Sequence, residues 1–306
     1  MTSLTSIVVI GGATGSGKGK LARDLALRLG GEIVVADSRK IYRGFDIGTA
    51  KPSPEDRSRI PHHLVDVCQP NEVFTAALFA AHADRAIAEI KARGQLPIVA
   101  GGTGLYLRAL LHGIVDAPRD ERIRDALDAR EDREPGFLSA RLAELDPGSA
   151  AQIPQNDRAR LLRALQVVAS SGQRLSDLQS AHRFQPRRYR ALFLALAWPR
   201  ETLYLRINER VERMIAMGWL AEMERLRTAG HAHDRAAESV GYAQWNAHLE
   251  GALSFEEAKR VIQRDHRRYA RRQLRWFRAE PDVRWLDCPV DLASLLEEIA
   301  RFRLAG

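Results

Sequence analysis

Cysteine is scarce in this 306-residue chain: Cys68 and Cys288 stand far apart, with no paired spacing. That excludes a disulfide framework and a thiolate zinc site, and it points to a reducing compartment, the cytoplasm. Long hydrophobic runs are missing too. The longest covers residues 191–198, far short of the roughly 20 apolar residues that a membrane-spanning helix needs. No basic stretch precedes the apolar residues 4–10, so that segment reads as a strand and not as a signal peptide. The histidines His62, His63, His231 and His233 lack Cys, His or Asp companions at ligand spacing, which argues against zinc. Internal repeats and low-complexity tracts are absent as well.

What is present is an ordinary globular composition, 45% hydrophobic and 28% charged, in a chain long enough for a full core. A total of 47 basic against 39 acidic residues leaves a net charge of +8. That excess favours polyanionic partners, although alone it is weak ground for one.

Residues 1–117 read as the first part of an α/β core. Strands are expected at "SIVVI", "EIVVADS" and "HHLVDV" and at the start of "LPIVAGGTGLY". Helices are expected through Leu29 and over "TAALFAAHADRAIAEIKARG". Alternating strands and helices imply a parallel sheet covered on both faces. Such sheets bind ligands at the carboxyl ends of their strands. The polar turns 12–19, 37–40 and 101–104 fall at those ends and should converge on one site.

Residues 118–188 change character. They are rich in Arg, Asp, Glu and Gln, with helical patterns around 119–130, 137–145 and 157–171 and no strand-like run. They read as a helical insertion. Residues 189–306 complete the core with the strand "RALFLALAW". Helices over 200–228, 239–249 and 254–279, a short strand "VRWL" and a closing helix follow. The expected fold class is α/β: a P-loop NTPase-like parallel sheet core with a helical insertion domain and a helical C-terminal region.

The strongest local signal is the phosphate-loop pattern G-x-x-x-x-G-K-[ST]. Gly12, Ala13, Thr14, Gly15, Ser16, Gly17 and Lys18 fit it, and Gly19 breaks it by lacking the final hydroxyl. Backbone N–H groups of such a loop and the positive end of the next helix hold a di- or triphosphate, and Lys18 reaches its terminal oxygens. Asp37 closes the second strand. A carboxylate there can take a proton from an acceptor or orient a metal-bound water, and equally can cap the next segment. Thr103, in "GGTG", is placed beside the same pocket, although such a string alone is more often a tight turn.

Residues 259–278 hold nine Lys or Arg and one acid, Asp265. Arg260, Arg264, Arg267, Arg271, Arg275 and Arg278 recur at helical spacing as one basic stripe. Tyr269, Trp276 and Phe277 offer an anchoring face or stacking surfaces. A solvated charged helix is the bland alternative; the near absence of acids favours nucleic-acid phosphates.

Taken together, several strings resemble the tRNA dimethylallyltransferase family, whose members prenylate the adenosine immediately 3′ of the anticodon. They are the glycine loop, "DSRKIYRGFDIGTAKP" at 37–52, "PHHLVD" at 61–66 and "AGGTGLYLRALLHGI" at 100–114. "NDRARLLRALQV" at 156–167, "LYLRINERVERM" at 203–214, "VGYAQW" at 240–245 and "RRYARRQLRWF" at 267–277 continue the match. The resemblance implies dimethylallyl diphosphate as donor, with its diphosphate on residues 12–19. It implies Asp37 as the base for the adenine amine, Lys18 and Arg210 as stabilisers of the leaving diphosphate, and Thr103 as a holder of the acceptor. It implies tRNA contacts from Asp37, Ser38, Arg39, Lys40, Thr103, Arg160 and Arg163. The basic helix, with Arg267 and Arg271, would clamp the stem-loop. Mg²⁺ as cofactor and a monomeric, cytoplasmic enzyme complete the expectation.

Departures from the family pattern are Ala13, Gly15, Gly19, Lys40, Ala243 and His266. Gly19 is the serious one. With no hydroxyl there, Mg²⁺ would be bound more weakly, helped by Asp37 or Ser38. Gly19 and Ala243 also leave open a catalytically impaired relative that only binds tRNA. A small-molecule P-loop kinase is a further alternative, but it needs Mg-ATP and gives the basic helix no purpose.

Overall fold

Runs of β-branched residues set the sheet. Ile7, Val8, Val9 and Ile10 are all fully buried, as expected of a strand covered on both faces. The structure is a computed structural model describing residues 4–115, 117, 119–182 and 187–304. Two compact units divide the chain: residues 1–111 with 187–306, and residues 112–186.

The larger unit carries six parallel strands: β1 (Ser6–Gly12), β2 (Gly31–Ala36), β3 (His62–His63), β4 (Leu96–Gly101), β5 (Arg190–Ala197) and β6 (Arg284–Asp287). Their spatial order is β3-β2-β4-β1-β5-β6. Val9 pairs in register with Val99 on one side and Phe193 on the other, which makes β1 an inner strand. Because β2, β4 and β1 are consecutive in the sheet, the turns leaving all three lie side by side at its carboxyl edge.

One apolar layer joins Val8, Ile10, Ile33, Val35 and Ile98 to Leu25 of helix Lys18–Leu29 and to Ile299 of helix Leu292–Leu304. A second gathers Ile41, Phe45, Trp219, Tyr242, Trp245 and Ile262. Each such side chain contributes roughly 1.5–3 kcal/mol by leaving water.

Three expected elements are shorter than read. β3 pairs at only two residues of "HHLVDV", because Leu64 (φ 64°) and Asp66 (φ 59°) take left-handed backbone that ends the strand. The helix expected over 200–228 is two helices, Arg200–Ala216 and Trp219–Thr228, divided at Gly218 (φ 92°). The helix over 239–249 starts at Tyr242, after Gly241 (φ 104°), where a Cβ would run into the Trp219 ring.

The smaller unit is helical: Glu121–Arg133, Phe137–Leu145, Pro147–Ala150, Arg158–Ser171 and Leu175–His182. Leu138, Leu142, Leu161, Leu162 and Leu165 form its core. Asp120 and Asp157 cap two of its helices with their side chains. Buried Asp146 accepts from the backbone N–H and hydroxyl of both Ser149 and Ser176. Burial alone would raise its pKa; those hydrogen bonds win and hold it at about 2.

Candidate active site

Three glycines bend the loop after β1: Gly12 (φ 142°), Gly15 (φ 78°) and Gly17 (φ 95°). Gly17 is the N-cap of helix Lys18–Leu29 and offers no side chain to its first N–H groups, which therefore remain for an anion. The loop is braced from outside. Trp198 Nε1 donates to Ser16 O at 2.8 Å and Arg206 Nε donates to Gly15 O at 3.1 Å. The Arg206 guanidinium lies 4.3 Å over the Trp198 ring. Lys18 Nζ donates to Ala13 O at 3.3 Å.

The turn after β2 is tied to the turn after β4. Ser38 N donates to Thr103 Oγ1 at 3.0 Å, and the Thr103 hydroxyl donates to Ser38 Oγ at 3.3 Å. Thr103 N donates to Ala36 O at 3.3 Å. Asp37 Oδ1 accepts from Arg39 N at 3.0 Å, which fixes the carboxylate's orientation. Arg39 itself reaches away to Arg235 O at 3.0 Å and to Glu238 at 3.8 Å.

Helix Phe255–Arg278 joins the remaining pair of turns. Gln273 Oε1 accepts from Thr14 N at 2.8 Å, while its Nε2 donates to Gly102 O at 2.9 Å. One amide thus ties the glycine loop to the Gly-Thr turn. Close approach explains more of the glycines: a Cβ on Gly11, Gly102 or Gly104 would collide with Phe277, Gln273 or Trp276 respectively. Sequence reasoning assigned glycines here to phosphate; several serve helix packing as well. Trp276 and Phe277 are therefore anchors, with Phe277 fully buried.

The electrostatics are lopsided. Loss of hydration lowers the Lys18 pKa to about 7; Asp37 opposes this, and Lys40 and Arg210 add to it. Loss of hydration likewise lowers Lys40 to about 8, again with Asp37 opposing and Arg210 contributing. Arg210 is pulled down by its own burial, and its buried Nε has no partner among the described residues. One carboxylate thus faces three enclosed cations. Tyr269 is pushed up to about 12, first by burial and then by Asp37. His266 is buried, and desolvation followed by Arg210 drops it to about 3, so its ring is neutral at physiological pH.

The structure thus brings together Gly12 through Gly19, Asp37, Ser38, Lys40, Thr103 and Arg210. Arg160 and Arg163 stand instead in the helical unit. Arg160 pairs with Asp157 at 3.3 Å; Arg163 bonds to Gln166 at 2.8 Å and to Ala117 O at 2.7 Å. On the long helix, Arg267 turns inward and donates to Asn208 Oδ1 at 2.7 Å. Arg260, Arg264, Arg271, Arg275 and Arg278 remain exposed.

Residues that sequence reasoning missed are Gln273, Trp198 and Arg206. Gln273 had a faint signal: it stands on the apolar face with Ala258, Ile262, Ala270 and Phe277, where a lone amide is unusual.

As for metal, no cluster of three or more His, Cys, Asp or Glu suited to an ion occurs among the described residues. Ser38 Oγ and Asp37 Oδ1 are already hydrogen-bonded, and Gly19 has no oxygen to give. The protein oxygens available to Mg²⁺ are thus few. No described helix is long and apolar enough to cross a membrane.

Known proteins bear the same pattern. A family model described as IPP transferase matches residues 40–280. The chain is 51% identical to the tRNA dimethylallyltransferase of Anaeromyxobacter dehalogenans, covering 96% of this chain and 99% of that one. It is 47% identical to the enzyme of the same name from Geobacter metallireducens, covering 97% of each. Among solved structures it resembles the tRNA isopentenylpyrophosphate transferase of Bacillus halodurans, with TM-score 0.71, 36% identity and coverage of 98% and 96%. It also resembles a eukaryotic dimethylallyltransferase acting on tRNA, with TM-score 0.81, 27% identity and coverage of 98% and 78%. With its sheet, its glycine loop and nearly its whole length matched, the chain belongs to the IPP transferase family.

Proposed function

We propose that the protein transfers a dimethylallyl group from dimethylallyl diphosphate to N6 of the adenosine 3′ of the anticodon in tRNA. The observation that carries this reading is the joining of three turns: Ser38 to Thr103, and Thr14 through Gln273 to Gly102. They put one carboxylate beside a glycine loop in a ring of cations.

The amine nitrogen attacks the allylic carbon, the carbon–oxygen bond to diphosphate breaks, and the bonding pair leaves with the diphosphate. The N6 proton passes to Asp37 as the new bond forms, because the exocyclic amine is a weak nucleophile. Negative charge grows on the leaving group, so preorganised Lys18 and Arg210 favour the transition state over the ground state. Backbone N–H groups over residues 12–19 hold the diphosphate. Thr103 holds the acceptor, which must leave its stack at a cost of a few kcal/mol. Ser38, Arg39, Lys40, Arg160 and Arg163 hold the anticodon loop, while Arg267, Arg271 and their neighbours meet its phosphates. The enzyme works as a monomer in the cytoplasm.

Mg²⁺ enters with the diphosphate, held by phosphate oxygens and water, with Asp37 or Ser38 as supporting oxygens. Gly19 makes that binding weak. A Cβ at Gly19 would meet only Arg23 Nη1, at 3.8 Å, so the fold accepts a hydroxyl there. Mg²⁺ titration of the wild type and Gly19→Thr should show tighter half-saturation in the variant; equal values refute weak binding.

The central experiment incubates purified protein with unmodified tRNA and dimethylallyl diphosphate, followed by nucleoside mass analysis. Isopentenyladenosine is the expected product. Its absence, or phosphoryl transfer from ATP instead, overturns the proposal.

A further inference from the structure

The phosphate-loop pattern ends in a hydroxyl that ligates Mg²⁺, and this loop ends in Gly19. Packing does not impose the glycine, since a side chain there would enter nearly open space. The loop has therefore lost a metal ligand without a steric reason. A cation that could make good the loss stands on the neighbouring turn.

Lys40 follows Asp37 by three residues. Its carbonyl is fixed by Asp66 N at 3.3 Å, yet its ammonium has neither a hydrogen bond nor an ion pair among the described residues. Lys51 makes the contrast. Its ammonium is fully answered by Asp46 and Asp66, each at 2.6 Å, and by Tyr42 O. Lys51 holds a loop together, whereas Lys40 holds nothing. The charges that act on Lys40 come from Asp37, Arg210, Arg23 and Lys51, three cations against one carboxylate. An ammonium kept from water among like charges is costly unless a ligand supplies the missing anion.

We propose that Lys40 is a donor-site cation. Its ammonium joins Lys18 and Arg210 in neutralising the diphosphate, and it takes over charge that a Mg²⁺ ion on a loop hydroxyl would carry. This rests on the diphosphate reading above, and it moves the Lys40 ammonium from the RNA to the donor.

The probe is inorganic pyrophosphate, titrated calorimetrically into the protein in EDTA and again with Mg²⁺. The wild type should bind in EDTA. Lys40→Gln should weaken that binding by roughly tenfold or more, as expected for a lost charge-assisted contact, and Lys40→Arg should largely restore it. The double variant Gly19→Thr with Lys40→Gln should regain affinity only when Mg²⁺ is added. Binding of an unmodified anticodon stem-loop should be unchanged by Lys40→Gln, which also serves as the folding control. Equal pyrophosphate affinity for wild type and Lys40→Gln in EDTA overturns the assignment, as does a loss confined to RNA. A wild type that binds pyrophosphate only with Mg²⁺ overturns it while leaving the proposed function intact. Failure to bind under either condition overturns both.

Discussion

Charges are handled in opposite ways in the two units of this chain. In the helical unit, cations find acids close by in sequence or on an adjoining helix. Arg158 meets Asp128 and Asp132 at 2.5 and 2.6 Å, Arg141 meets Glu144 at 2.6 Å, and Arg130 meets Glu134 at 3.4 Å. These pairs are exposed, neutralise one another and are screened by solvent. In the α/β unit, Lys18, Lys40 and Arg210 crowd round Asp37 with their hydration stripped away. Satisfied exposed pairs decorate a fold. Enclosed, unbalanced charge marks the place where a ligand of opposite sign completes the structure.

The contrast breaks most visibly at the carboxylate. Asp37→Asn should lower single-turnover prenyl transfer by roughly 10²- to 10⁴-fold, the range for losing a general base, while pyrophosphate affinity holds or rises. An unchanged rate would remove Asp37 from the chemistry. Gln273→Met comes next. It keeps the volume but orphans Thr14 N–H, a cost of about 1–3 kcal/mol, so kcat should fall by roughly tenfold or more with the melting curve little changed. Gln273→Glu keeps the acceptor for Thr14 and loses the donor for Gly102, and should fall between the two.

The pH dependence sharpens the comparison further. In the unliganded protein Lys18 sits near 7 and Lys40 near 8. An anion favours the protonated forms, so pyrophosphate affinity should be flat below about pH 7 and decline as pH rises through these values. A flat profile to pH 9 would show that neither lysine meets the phosphates. On the surface, Arg271→Ala should reduce the salt slope of tRNA binding by about 0.7–0.9 without altering the donor KM. Smallest of all, Arg158→Ala should leave the melting temperature nearly unchanged, since its partners are exposed on their own helices.

Legibility followed the range of the contacts. The glycine loop, the strand before it and the helix after it are consecutive, so their pattern was readable with its role. The strand order that brings residues 12–19, 37–40 and 101–104 side by side was also foreseeable, because parallel sheets place their turns at one edge. Gln273 was not, for its partners lie 259 and 171 residues away. In the sequence it is one amide amid arginines. Arg267 misled in the other direction: its spacing put it on the basic stripe, but Asn208 draws it inward. The breaks at Gly218 and Gly241 were hidden because a glycine in a helical pattern reads as tolerable until its backbone is seen to be left-handed.

By itself the sequence determined the kind of molecule this is: an α/β core with a phosphate loop missing its hydroxyl, an Asp-Ser turn and a basic terminal helix. Those features are local, and local geometry follows from adjacent residues. Only the tertiary structure decided which cations lie stripped of water around Asp37, and which amide ties loop to turn. Desolvation and hydrogen bonding depend on what the rest of the chain places nearby, and no reading of neighbours in sequence supplies that.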